Sequence, residues 1–223
     1  MARLLHASIA AFSVAASFLF ASNAHAAFNL RKLQLDLPRP AAQMRDGQAQ
    51  VAPIAYVRFC LKNSDQCEKS DSNDRVELSA ENWTRIREVN AEVNERITPD
   101  PQKGSFDWST SATVGNCNDY AVQKRKELIE KGFPRAALSL SVVVTPWGEG
   151  HLVLTVRTDR GDFVMDNLRP TILAWDRTGY EFNRVQSIAD PATWVHPEHG
   201  HRDSRHRDDE DTASRRLSPT TDL

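Results

Sequence analysis

Gly-Glu-Gly-His-Leu-Val-Leu-Thr-Val-Arg-Thr-Asp-Arg-Gly-Asp-Phe-Val-Met-Asp, residues 148–166, contains two apolar runs split by turn residues. Residues 151–157 and 162–166, with Thr158-Asp159-Arg160-Gly161 between them, predict an antiparallel hairpin. One register puts His151 directly opposite Asp166, with Leu152 against Met165, Val153 against Val164 and Leu154 against Phe163. Residues 157–160 are then the loop, and Gly161 can take a left-handed bulge position. A tighter turn on Arg160-Gly161 would instead face Asp166 with Thr155, leaving it roughly 13 Å from His151 along the strand. The first register joins a base to an acid, and the second parts them.

Working outward, further strands are predicted at 138–145, 172–175 and 180–186, and Pro146-Trp147-Gly148-Glu149-Gly150 forms the turn before His151. Upstream the period changes. Trp83, Ile86, Val89 or Asn90, Val93 and Ile97 form one helical stripe, with Ser79 as its N-cap and Thr98-Pro99 as its stop. A second helix is expected over 117–131, capped by Asn116 and ended by Gly132 and Pro134. The Pro-, Gly- and Ser-containing stretch 98–115 reads as a long loop of the kind that often serves function. Residues 28–50 read as an extended opening segment, and 53–61 as a short strand or irregular core segment. Helices first and antiparallel sheet afterwards is an α+β order.

Chemistry concentrates at few positions. Of seven histidines, His6 and His25 lie near the N-terminus and His196, His199, His201 and His206 crowd the C-terminus, so only His151 serves a folded core. Cys60 and Cys67, seven residues apart around a polar turn, can close a small disulfide loop, which leaves Cys117 unpaired. Cys117 falls in the first turn of its helix, where amide groups and the dipole favour an anion and hence a thiolate. A lone cysteine is also a common small buried hydrophobe, and an aspartate at a strand end can simply be solvated. Placed as they are, however, Cys117, His151 and Asp166 fit the roles of nucleophile, base and orienting acid.

Residues 1–26, with Arg3, an apolar stretch from Ile9 to Ala21 and Ala24-His25-Ala26, read as a signal peptide cut after Ala26. No later segment is apolar enough to span a membrane, so the mature protein is expected in the periplasm or outside the cell, where a disulfide persists. The chain has 28 basic and 30 acidic residues and no basic stripe, which argues against a nucleic-acid partner. One domain is expected over 27–195, acting as a monomer, followed by a charged disordered tail over 196–223. His196, His199 and His201 in that tail form a weak transition-metal motif.

Val-Gly-Asn-Cys-Asn-Asp-Tyr-Ala-Val-Gln-Lys-Arg (114–125), residues 148–158, Gly-Asp-Phe-Val-Met-Asp-Asn-Leu (161–168) and Thr-Gly-Tyr-Glu-Phe (178–182) together resemble the bacterial transglutaminase-like cysteine proteinases. The resemblance runs from about Phe59 to Val195 and takes in the Val-Asn repeats at 89–94 and Trp108. It implies a papain-like or transglutaminase-like core, export to the periplasm, and a catalytic triad of Cys117, His151 and Asp166. The family includes proteases that clip large surface adhesins, some of them calcium-dependent, which makes an envelope protein or peptide the expected substrate.

One departure stands at the nucleophile. The family's usual Gly-Asp-Cys-Glu-Asp-Tyr is here Gly-Asn-Cys-Asn-Asp-Tyr, so Asp119 alone remains as a calcium candidate and weak or absent calcium binding is expected. Losing two neighbouring negative charges favours a thiolate. Asn116 and Trp108 are candidates for holding substrate or its oxyanion, and Trp147 and Glu149 either line a cleft or merely build their turn. Three activities share these residues: peptide hydrolysis, acyl transfer to an amine, and peptide binding by a degenerate site.

Overall fold

A computed structural model describes residues 37–70 and 75–199, and the chain divides into two units, Met1–Pro38 and Arg39–Leu223. Only Leu37 and Pro38 of the first unit are described, so everything below concerns the second; the leader and residues 200–223 of the tail lie outside the described residues.

Among the described residues, nine strands and three α-helices follow in chain order. They are β1 (Met44–Gln50), α1 (Ile54–Lys62), α2 (Ala80–Arg96), β2 (Thr98–Pro99), β3 (Val114–Gly115), α3 (Cys117–Glu130), β4 (Leu138–Val144), β5 (Gly150–Thr158), β6 (Gly161–Met165), β7 (Leu173–Ala174), β8 (Glu181–Gln186) and β9 (Trp194–His199). Seven strands form one sheet in the order β1-β9-β8-β4-β5-β6-β7, every neighbouring pair antiparallel. This is the expected α+β architecture. Every residue of β5 after Gly150 is buried, so the strand is covered on both faces.

Each long helix forms where its cap and stripe say. The Ser79 hydroxyl accepts from the Asn82 amide at 3.1 Å, and Trp83, Ile86, Val89, Asn90 and Val93 of α2 are buried. Trp83 meets Phe163 of β6 with ring centroids 5.5 Å apart, which seats α2 against the hairpin. Helix α3 packs on β5 and beside α2.

Four expectations need correction. The hairpin takes neither register considered: Thr158 pairs with Gly161 and Leu154 with Met165, so the turn is the two residues Asp159-Arg160. Gly161, directly after the turn, has φ 118°, a conformation that favours glycine. Asp166 just beyond β6 thereby lies diagonal to His151, on the same face, within reach of two side chains.

Residues 53–61 are not a strand but helix α1, starting after Pro53. Tyr56 and Phe59, three residues apart, are buried with Ala55, while Ile54, Val57 and Leu61 face solvent; high apolar content concealed a one-sided helix. The Cys60–Cys67 disulfide joins the end of α1 to the short turn after it, with Cα atoms 5.6 Å apart.

The opening segment ends in β1, which pairs with β9, and β9 extends the fold through His199, four residues past the boundary expected at 195. His196 and His199 are three apart on this strand and so face opposite sides. The His196 ring contacts the Asn183 carbonyl at 3.2 Å and that of His199 lies on Trp175, so the tail motif does not converge through them. The loop 98–115, lastly, is closed at its base by a parallel pairing of β2 with β3.

Asp162, wholly buried at the start of β6, ties β1 to the hairpin. Its carboxylate meets Arg75 at 2.6 Å and Arg157 at 2.9 Å and accepts from the Met44 amide at 2.7 Å. Removing one side of a buried pair strands the other charges. Asp162→Ala is therefore expected to cost about 3–5 kcal/mol in urea unfolding; a loss below about 1 kcal/mol would contradict this role.

Candidate active site

Asn116 builds the start of the cysteine helix. Its side-chain oxygen accepts from the Asn118 amide at 3.1 Å, and Asp119 answers by accepting from the Asn116 amide at 2.8 Å, a reciprocal capping box. Cys117 is thus the first residue of α3, partly exposed, with its sulfur 4.0 Å from the Asn118 side-chain oxygen.

His151, the second residue of β5, is brought to the same place because α3 lies across that strand. Its Nε2 contacts Asp166 Oδ1 at 2.8 Å, and both side chains are almost fully buried. With Nε2 committed, Nδ1 is the nitrogen left for Cys117, the other group whose influence raises the imidazole. Burial by itself would pull the imidazole down; the hydrogen bonds and charges of Asp166 and Cys117 outweigh it and raise His151 to about 9. Burial likewise works to raise the Asp166 carboxyl, but His151, the Tyr180 hydroxyl and the Leu168 amide hold it below the usual carboxylate range. The hairpin, the loop after β6 and one end of α3 therefore bring Cys117, His151 and Asp166 together.

Several partners were not anticipated. The Tyr180 hydroxyl donates to Asp166 Oδ2 at 2.5 Å, the Leu168 amide donates to Oδ1 at 3.0 Å, and Asn94 Nδ2 donates to the Asp166 carbonyl at 2.9 Å. Tyr180 sits just before β8 and Asn94 near the end of α2, and no local pattern links either to residue 166. Lys124 is fully buried on α3, about two turns along from Cys117 on the same face; burial lowers it to about 7 against the opposing pull of Asp166.

The two candidates for an oxyanion or substrate contact are committed elsewhere. The Trp108 indole donates to the Ser105 carbonyl at 2.9 Å, and its ring packs near Tyr56 and Phe59, which makes it a core anchor. The Asn116 amide nitrogen donates to the Lys103 carbonyl at 3.0 Å while its oxygen caps the helix. Trp147 is 55% exposed and its indole donates to Glu149 at 2.8 Å, two residues before His151.

A calcium ion does not fit Asp119. The residue has no solvent exposure, and both oxygens are taken: Oδ1 by the Lys103 ammonium at 2.6 Å and the Ser109 amide at 2.9 Å, Oδ2 by the Asn116 amide. Calcium wants about six to eight oxygen ligands. Here the neighbouring side chains are the neutral Asn116 and Asn118, already tied to backbone groups of the 103–105 segment.

A helix-start thiol packed against a histidine strand, on an antiparallel sheet, is the frame of a transglutaminase-like cysteine peptidase. Residues 46–202 match the family model described as bacterial transglutaminase-like cysteine proteinase, and the chain belongs to that family. Among solved structures it is similar to Legionella pneumophila LapG in calcium-bound form, at 19% identity over 67% of this chain and 84% of that chain, TM-score 0.47. It is also similar to Legionella pneumophila LapG, at 19% identity over 75% and 91%, TM-score 0.44, and to an EGTA-treated form at 20% over the same shares, TM-score 0.44. The curated proteins contain no match to the chain.

The raised imidazole has a defined sign in stability. A group held above its ordinary value stabilises the fold fully below about pH 6.5 and loses that contribution as pH rises through about 9. The stability difference between the native chain and His151→Gln is expected to shrink by roughly 2–3 kcal/mol from pH 6.5 to 9.5 in urea unfolding. A difference that stays flat over that window would contradict the buried imidazolium.

Proposed function

We propose that the chain hydrolyses peptide bonds with Cys117 as nucleophile, His151 as proton carrier and Asp166 as the group that orients the imidazole. The observation that carries this reading is the 2.8 Å contact between His151 Nε2 and Asp166, which leaves Nδ1 free to serve Cys117. The thiolate attacks the peptide carbonyl carbon, and the Cys117 amide, one of the free donors at a helix start, faces the oxygen that takes the charge. Imidazolium Nδ1–H then protonates the departing amine, leaving an acyl thioester. Neutral Nδ1 next removes a proton from water, the hydroxide displaces the thiolate, and the acid product leaves. Throughout, Asp166 keeps one carboxylate oxygen on Nε2, and Tyr180 fixes the other.

The reading of residues 1–26 as a leader supports the periplasm or the cell exterior as the place of this reaction, with an envelope or surface protein as the substrate class. Among the described residues no helix is long and apolar enough to cross a membrane. Exposed Trp147, just ahead of His151, stands where a substrate side chain would pass.

Alkylation by iodoacetamide at neutral pH tests the reading without a known substrate. The native thiol is expected to react at least about tenfold faster than in His151→Gln, with Asp166→Asn in between. An equally slow reaction in all three would mean an inert cysteine and favour a binding protein. Mass spectrometry of products formed with an added primary amine separates hydrolysis from acyl transfer.

A further inference from the structure

One buried carboxylate ties two points of the loop after α2 to the cysteine helix. Asp119 Oδ1 binds the Lys103 ammonium at 2.6 Å and the Ser109 amide at 2.9 Å, so one oxygen reaches both limbs of the 103–109 segment. The same segment receives the Asn116 amide nitrogen on the Lys103 carbonyl and the Asn118 amide nitrogen on the Ser105 carbonyl. Oδ2 is pressed against Gly115 so closely that a Cβ there would overlap it. Lys103 itself is largely buried, its side chain 18% exposed.

An ionised carboxylate out of contact with water must be matched by charge and hydrogen bonds. A divalent cation can do this, but so can an ammonium, which brings three donors and needs no further oxygen ligands. We propose that Lys103 is the resident cation of this chain. Its ammonium neutralises Asp119 and closes the 103–109 segment onto the start of α3, so the nucleophile's helix is assembled without calcium. Neutral Asn116 and Asn118 belong to the same arrangement, since further carboxylates beside Asp119 would exceed the single charge Lys103 supplies. Lys103 is a positioning residue, acting on Cys117 through Asp119 and the capping box. The inference does not rest on peptide hydrolysis.

Calorimetric titration of the mature chain with calcium chloride, and thermal melts in calcium or EGTA, test it directly. No binding heat and a common Tm are expected. Lys103→Met should lower Tm by roughly 5–10 °C, with Lys103→Arg retaining most of the native value. In an Asp119→Asn background the same Lys103→Met change should have an effect below about 2 °C, because the partner charge is already gone. Calcium binding that Asp119→Asn removes, a fall in Tm on adding EGTA, or a Lys103→Met protein that melts like the native chain would each overturn the proposal. A slow Cys117 alkylation with these results intact would fault the peptidase reading alone.

Discussion

A carboxylate buried as deeply as Asp166 must have every oxygen answered, and much of the molecule is arranged to do so. Three separate elements reach it: His151 from β5, the Leu168 amide from the loop after β6 and Tyr180 from the approach to β8, while Asn94 from α2 holds the backbone carbonyl of the same residue. None of these groups is near another in sequence except through Asp166 itself. The sheet order makes the meeting possible, because β4 pairs with both β8 and β5, and Tyr180, just before β8, has its ring centroid 5.9 Å from that of His151. Hydrogen bonds to a charged group in low dielectric are stronger than neutral ones. The position of the imidazole is therefore over-determined, which suits a group that must present one nitrogen in a fixed direction.

A second buried carboxylate, Asp119, organises the other half of the site by different means. Asp166 is matched by an imidazole that can exchange its proton; Asp119 is matched by the Lys103 ammonium and by backbone amides. The first arrangement leaves a titrating group facing the thiol. The second fixes a helix start and its covering loop, and so determines where the thiol stands. Chemistry and scaffold are thus divided between two buried acids.

What could be read from residues follows the range of the physics involved. Local signals were legible: Ser79 and Asn116 are caps, Gly161 punctuates the hairpin, and the α2 stripe marks its buried face. Because side chains alternate, every candidate register differing by two residues keeps His151 and Asp166 on one face, so their proximity survived an error in the turn. The turn itself was missed because Asp159-Arg160 lacks the Asn-Gly or Asp-Gly signature of a two-residue hairpin. Helix α1 was misread because its apolar residues are split between core and solvent, which blurs the period. Partners such as Tyr180, Asn94 and Lys103 were invisible for another reason. Each contributes one long-range contact, and only the assembled sheet and loop determine which residue receives it.

The central claim is that His151 carries a proton, sandwiched between Asp166 and Cys117, in the resting protein. Nitrogen NMR of histidine-labelled mature chain, with the His151 signal assigned by its loss in His151→Gln, measures this directly. An imidazolium at pH 7.5 that releases its proton at about 9 is the expected result. A neutral His151 at pH 7.5, titrating at or below about 6.5, would contradict it.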